Sequence, residues 1–183
     1  MNIIDGTTCL KEVEALIKEY TKMLDRDLSF QHLDEELADL KQKYSGKQGR
    51  LLAAVADDGT VAGCVAYHRL CEDCCEMKRL YVQESYRNCG IGHKLAEHIL
   101  ALAKKDGYQT MVLDTIEPLQ SAVRLYQRLG FQETAPYYNN PMDDVIYMKK
   151  ICKSRRISCR YVYVLYRMET GCFYSSDTDV FLL

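Results

Sequence analysis

Leu10, Val13, Leu16, Ile17 and Tyr20 recur at three- and four-residue intervals. That spacing lays one apolar stripe along a helix beginning near Thr7 or Thr8. The short stretch "NII" ahead of it predicts a strand. A second amphipathic helix fits "HLDEELADLKQKY", with Leu33, Leu37, Leu40 and Tyr44 on one side and charged residues on the other. "SGKQG" ends it.

The pattern then changes period. "RLLAAVADDGTVAGCVAYHRL" is two apolar, valine-bearing runs around Asp58-Gly59, a strong local signal for an antiparallel hairpin. After the polar "CEDC", "CEMKRLYVQ" predicts another strand, although Met77, Leu80 and Val82 do not alternate cleanly. Leu95, Ile99 and Leu102 then mark a helix over "HKLAEHILALAKKDGY", with Gly107 at its exit. "TMVLDT" reads as a buried strand, Pro118 opens a helix over "LQSAVRLYQRLG", and "FQETAPYY" with "DVIYMKK" form a closing strand pair. This order predicts a mixed sheet with helices packed on it, an α/β (α+β) fold. Residues 151–183 do not continue the rhythm and are expected to be an extension, an extra strand or a loose tail.

Composition narrows the function classes. A chain of 183 residues fits one domain, here 1–150, and 48% hydrophobic with 27% charged residues describes a globular protein. A net charge of -2 argues against nucleic acid as the main partner. No apolar run approaches the roughly 18–20 residues that span a bilayer, and "MNIIDGTTCLKEVEAL" lacks a basic segment followed by a long apolar one. No membrane partner and a cytoplasmic location are therefore expected. Nine cysteines, odd in number and irregular in spacing, point to reduced thiols. Cys71, Cys74 and Cys75 contain one C-x-x-C, with no second pair nearby to complete a zinc site, so no metal is expected.

"SYRNCGIGHK" carries the candidate chemistry. A strand, a glycine-rich turn and a helix in that order aim unpaired backbone N–H groups and the positive end of a helix dipole at one point, which makes an anion site. The P-loop spacing before Gly-Lys-Ser/Thr is absent. The dinucleotide fingerprint fails as well, because Leu95 stands where its third glycine belongs. A third pattern, Arg/Gln-x-x-Gly-x-Gly/Ala after a fourth strand, is met by Arg87, Gly90 and Gly92. With "MKRLYVQESYRNCGIGHKLAEHILALAKKDGY" and the downstream "AVRLYQRLGF", the chain from Met1 to Lys150 resembles the GNAT family of N-acetyltransferases. "PYYNNP" is similar to a subgroup of small bacterial members.

The resemblance implies the GNAT fold: a mixed, mostly antiparallel sheet of about seven strands, whose fourth and fifth strands splay apart, flanked by about four helices. It implies acetyl-CoA as cofactor, with its pantetheine arm along Leu80, Tyr81 and Val82 and its pyrophosphate on the turn from Arg87 and Asn88 through Cys89, Gly90, Ile91, Gly92, His93 and Lys94. It places the thioester carbonyl at a backbone N–H near Tyr81. The reaction implied is acetyl transfer to the primary amine of a small molecule or peptide, by a monomer or homodimer. Where many members carry an asparagine three residues before the motif alanine, Ala122 is preceded by Leu119. That contact with the pantetheine arm is absent or comes from elsewhere.

Such a transfer needs an unprotonated amine, a stabilised oxyanion and a proton for the departing thiolate. Tyr126 matches the family's helix tyrosine and can hydrogen-bond or protonate the sulfur; as a core aromatic it would share a face with Val123 and Leu129. Glu76 and Asp114 are the carboxylates placed to border the splay and relay a proton, or to be paired structurally. His68 is expected at the surface and His93 with the cofactor. The acceptor pocket is assigned to Tyr137, Tyr138 and Asn139, with Asn140 beside them, which serve equally as turn residues; Asp143 and Asp144 are placed to attract a cationic amine. A non-catalytic acyl-CoA-binding or sensing module would keep the same glycines, and only turnover separates the two readings.

Overall fold

The computed structural model describes residues 1–26, 33–46 and 48–152. Its elements are β1 (Asn2–Asp5), α1 (Leu10–Leu24), α2 (Leu33–Ala38), α3 (Leu40–Lys43), β2 (Gly49–Val55), β3 (Val61–Arg69), β4 (Cys74–Val82), α4 (Ile91–Lys105), β5 (Thr110–Ile116), α5 (Gln120–Arg128), β6 (Gln132–Glu133) and β7 (Val145–Ile151). The second predicted helix is divided in two because the Asp39 side chain accepts from the Gln42 amide at 2.8 Å and caps a new start. From residue 153 onward the expected extension lies outside the described residues.

The strands form one sheet in the order β1-β2-β3-β4-β5-β7-β6. Every pair is antiparallel except β4 and β5. The β2–β3 hairpin turns at Gly59, whose φ of 88° is left-handed, as the Asp58-Gly59 signal predicts. The parallel pairing covers only Cys74–Glu76 against Thr110–Val112. Beyond it the two strands have no paired residues, so the sheet is open along Met77–Val82 and Leu113–Ile116.

Side chains alternate into two cores. Cys75, Met77, Met111, Leu113 and Met148 pack under α4 with Leu95, Ile99 and Tyr126. Val13, Leu16 and Ile17 of α1 pack on the other face with Leu51, Ala53, Cys64 and Tyr81. Met77 and Leu80 sit three apart yet belong to the same face, because β4 carries a bulge. Ala66 pairs with Lys78 and Cys64 with Tyr81, a step of two on β3 against three on β4. Arg79 lies at this bulge with φ 59°. This accounts for the broken alternation of "CEMKRLYVQ".

Candidate active site

The open part of the sheet is the floor of a cleft of about 550 Å³, bounded by β4, β5, the N-terminus of α4, α5 and the end of α1. All residues expected to hold the cofactor line it except Cys89 and Lys94. Gly90 is the N-cap of α4 with φ 76°, and Asn88 just before it is also left-handed at 64°. Successive amides in such a turn point to one side. Lys94 spends its amide on the Gly90 carbonyl at 3.1 Å, so the helix geometry leaves the amides of Ile91, Gly92 and His93 without intrahelical partners. Lys94 offers only its ammonium group. A Cβ at Gly90 would meet nothing within 4 Å, so backbone conformation, not crowding by the protein, selects glycine there.

Arg87 is exposed, donates from Nε to the Val82 carbonyl at 3.1 Å, and lies over the Tyr81 ring at 5.6 Å. It therefore ties the turn to the end of β4 while keeping its charge beside the amides. His93, also lining the cleft, faces Glu97 at 3.2 Å. Leu119 lines the cleft at the cap of α5 and makes no side-chain cap bond.

Tyr126 and Asp114 both line the cleft. The Tyr126 ring packs edge-on to Phe131 with centroids 5.8 Å apart, and burial pushes its hydroxyl far above the ordinary value, with Tyr20 and Asp114 adding to the effect. The hydroxyl stays protonated and is a donor. Tyr20 itself, from α1, is raised to about 12, mainly by burial. Burial also raises the Asp114 carboxyl above 3.8, with Glu76 reinforcing and Lys78 opposing.

Glu76 does not line the cleft. It is buried, and its carboxylate is held by His68 Nε2 at 2.5 Å, the Tyr137 hydroxyl at 2.7 Å and Lys78 Nζ at 3.4 Å. Burial works against ionisation, yet these partners win and hold the group at about 2. His68, expected at the surface, is thus a partner of a buried carboxylate.

The three residues expected on the acceptor side are not among those lining the cleft, and they separate. Tyr137 and Tyr138 put their hydroxyls on Glu76 and Asp114, at 2.7 Å and 3.0 Å. Asn139 is exposed, and it is Asn140 that donates to the Tyr138 hydroxyl at 2.7 Å. Asp144 forms a bidentate pair with Arg26, both bonds 2.7 Å, so its charge is already matched. The pair joins the end of α1 to the start of β7.

Sequence reasoning missed Tyr20, Arg26 and Lys78 as cleft residues and Glu36 as a buried one. Glu36 was assigned to the charged face of its helix, but it accepts from Arg79 Nε at 2.7 Å, Arg79 Nη2 at 3.1 Å, the Tyr44 hydroxyl at 2.8 Å and Lys43 Nζ at 2.5 Å. A non-glycine left-handed residue costs about 1–2 kcal/mol, and the fourfold-satisfied ion pair holds Arg79 in that conformation. No local pattern signals a partner 43 residues away.

Comparison with known proteins agrees with this geometry. The model of the Acetyltransferase (GNAT) family matches residues 15–131. The chain is 44% identical over 141 residues to an uncharacterised N-acetyltransferase of Schizosaccharomyces pombe, covering 76% of this chain and 86% of that one. A GNAT-family acetyltransferase from Staphylococcus aureus shares the fold, with a TM-score of 0.70 at 23% identity over 83% of this chain and 99% of that one. So does an acetyltransferase from Salmonella typhimurium solved with acetyl-CoA, with a TM-score of 0.61 at 18% identity over 85% of this chain and 95% of that one. An opened sheet beside a left-handed glycine turn, in a chain matched by the family model over most of its length, makes this protein a member of the GNAT family of acetyltransferases.

Proposed function

We propose that the chain transfers the acetyl group of acetyl-CoA to a primary amine of a small molecule or peptide, within the cleft between β4 and β5. The observation that carries this reading is the loss of β4–β5 pairing after Glu76 and Val112, directly beside the free amides of α4. Acetyl-CoA is the acetyl donor of the family, and the residues present fit it. The unpaired edge Leu80–Val82 offers backbone groups to an extended amide-bearing arm. The amides of Ile91, Gly92 and His93, with Arg87 beside them, suit a pyrophosphate. Bound there, acetyl-CoA supplies an activated acyl group on a thiolate leaving group.

Asp114 is the better-supported general base. It lines the cleft, its carboxyl is raised by burial, and an amine proton taken on its Oδ atoms is held more readily than on Glu76. Glu76, held at about 2 by three partners, orients Tyr137 and Lys78 instead. Tyr126 lines the cleft with its proton held at Oη, so a thiolate there would accept a hydrogen bond from it; a phenol so raised favours sharing the proton over releasing it. Tyr138 and Asn140 position Asp114, and Tyr137 and Asn139 belong to the same acceptor-side loop.

Residues 1–150 are the catalytic domain in this reading, and 151–183 an extension. The protein acts in the cytoplasm as a monomer or homodimer, without nucleic acid; no helix of the described residues is long and apolar enough to cross a membrane. Thiol release from acetyl-CoA, followed across amino acids, polyamines and peptide N-termini, tests the function. Amine-dependent release is expected. Binding without release for every amine supports an acyl-CoA-binding module instead.

A further inference from the structure

The bulge of β4 is held from two directions. The Arg79 side chain is buried and forked onto Glu36, and the Arg79 carbonyl accepts from the Cys64 thiol at 3.3 Å. The fork fixes the side chain and the thiol bond the peptide plane. The consequence reaches the cleft, because the extra residue sets the parity of everything after it. With the bulge, Tyr81 joins the α1 core while Leu80 and Val82 face the α4 side; a slip of one residue would exchange them.

Glu36 itself does not touch the cleft. None of the lining residues comes from α2 or α3 among the described residues, and Lys43 and Tyr44 complete its carboxylate from behind. We propose that Glu36 is a positioning residue for the acetyl donor: through its fork on Arg79 it fixes the bulge and thereby the edge Leu80–Val82 along which acetyl-CoA lies. The inference rests on the donor site proposed above. A role confined to neutralising Arg79 would affect stability alone, whereas a positioning role also affects donor affinity when the fold is intact.

The test is acetyl-CoA affinity by calorimetry, beside melting temperature, for the wild type, Glu36→Gln and the double variant Glu36→Leu with Arg79→Met. The double variant removes both charges of the Glu36–Arg79 pair together, so neither is left buried without the other. Expected is a loss of affinity of roughly 10-fold or more in Glu36→Gln, because displaced binding groups lose most of their contribution. The double variant is expected to melt near the wild type and bind as weakly. If neither folds, Tyr44→Phe, which keeps the volume and deletes one donor to Glu36, is expected to weaken binding by roughly 2-fold or more. Wild-type affinity in a folded double variant, or in Tyr44→Phe where that is the variant read, overturns the inference. A wild type that binds no acetyl-CoA overturns the donor site and the inference together.

Discussion

The Tyr138 hydroxyl donates to the Asp114 carboxylate at 3.0 Å. Burial, above all, pushes this carboxyl up, and the Tyr138 bond is one of the interactions that restrain it. Removing a bond to the ionised form raises the pKa further. A general base works deprotonated, so Tyr138→Phe is expected to move the acid limb of the kcat/KM profile to higher pH, and Asp114→Asn to abolish that limb and cut kcat by roughly 10²–10⁴-fold. An acid limb that persists in Asp114→Asn assigns the base elsewhere.

Tyr126→Phe keeps the ring that packs edge-on to Phe131 and loses only the hydroxyl. Turnover is therefore expected to fall by roughly 10-fold or more, while acetyl-CoA affinity and melting temperature stay near wild type. Steady-state kinetics with a binding isotherm measures both. An unchanged kcat reduces Tyr126 to packing.

Most of the fold was legible because its signals are local. The Asp58-Gly59 turn, the stripe of α1, and the strand, glycine turn and helix around Gly90 each lie within a dozen or so neighbouring residues, and all three stand where the pattern placed them. For the same reason the residues singled out for the donor, apart from Cys89 and Lys94, fall together along one cleft. The long-range pairs behind the β4 bulge and around the two carboxylates were not legible. Glu36 with Arg79, Arg26 with Asp144 and Glu76 with Tyr137 pair residues 43, 118 and 61 apart, and a charged residue looks the same in sequence whether solvent or a buried partner receives it. The imperfect alternation of "CEMKRLYVQ" was the one visible trace of such a feature, because a bulge breaks the period of two.

Gly90→Val places a β-branched residue at φ 76°, where an added Cβ meets nothing within 4 Å and the left-handed backbone is the obstacle. Acetyl-CoA affinity is expected to fall by at least roughly 10-fold, with a stability loss of about 1–2 kcal/mol. Gly90→Asn separates the causes: asparagine tolerates the left-handed region, as Asn88 does here, so it should recover stability and part of the affinity. Equal affinity in the valine variant removes the pyrophosphate site from this turn.

Glu36 and Glu76 are both held at about 2 in the fold against an ordinary 4.5: burial raises both, but Arg79 and Lys43 on Glu36, and His68, Lys78 and Tyr137 on Glu76, outweigh it. A depressed carboxyl stabilises the fold above its unfolded pKa, and that stability is lost as pH falls through the folded value. The window is therefore about 4.5 down to about 2, and each group contributes on the order of 3 kcal/mol across it. Asp114, raised rather than lowered, acts in the opposite sense. Within the window the unfolded chain binds up to two more protons at these sites, a slope of at most about 3 kcal/mol per pH unit. Urea unfolding between pH 4.5 and 2.5 is expected to show it, and Glu76→Gln to remove about half of it. A slope unaltered by Glu76→Gln means that His68, Lys78 and Tyr137 do not depress this carboxylate in solution.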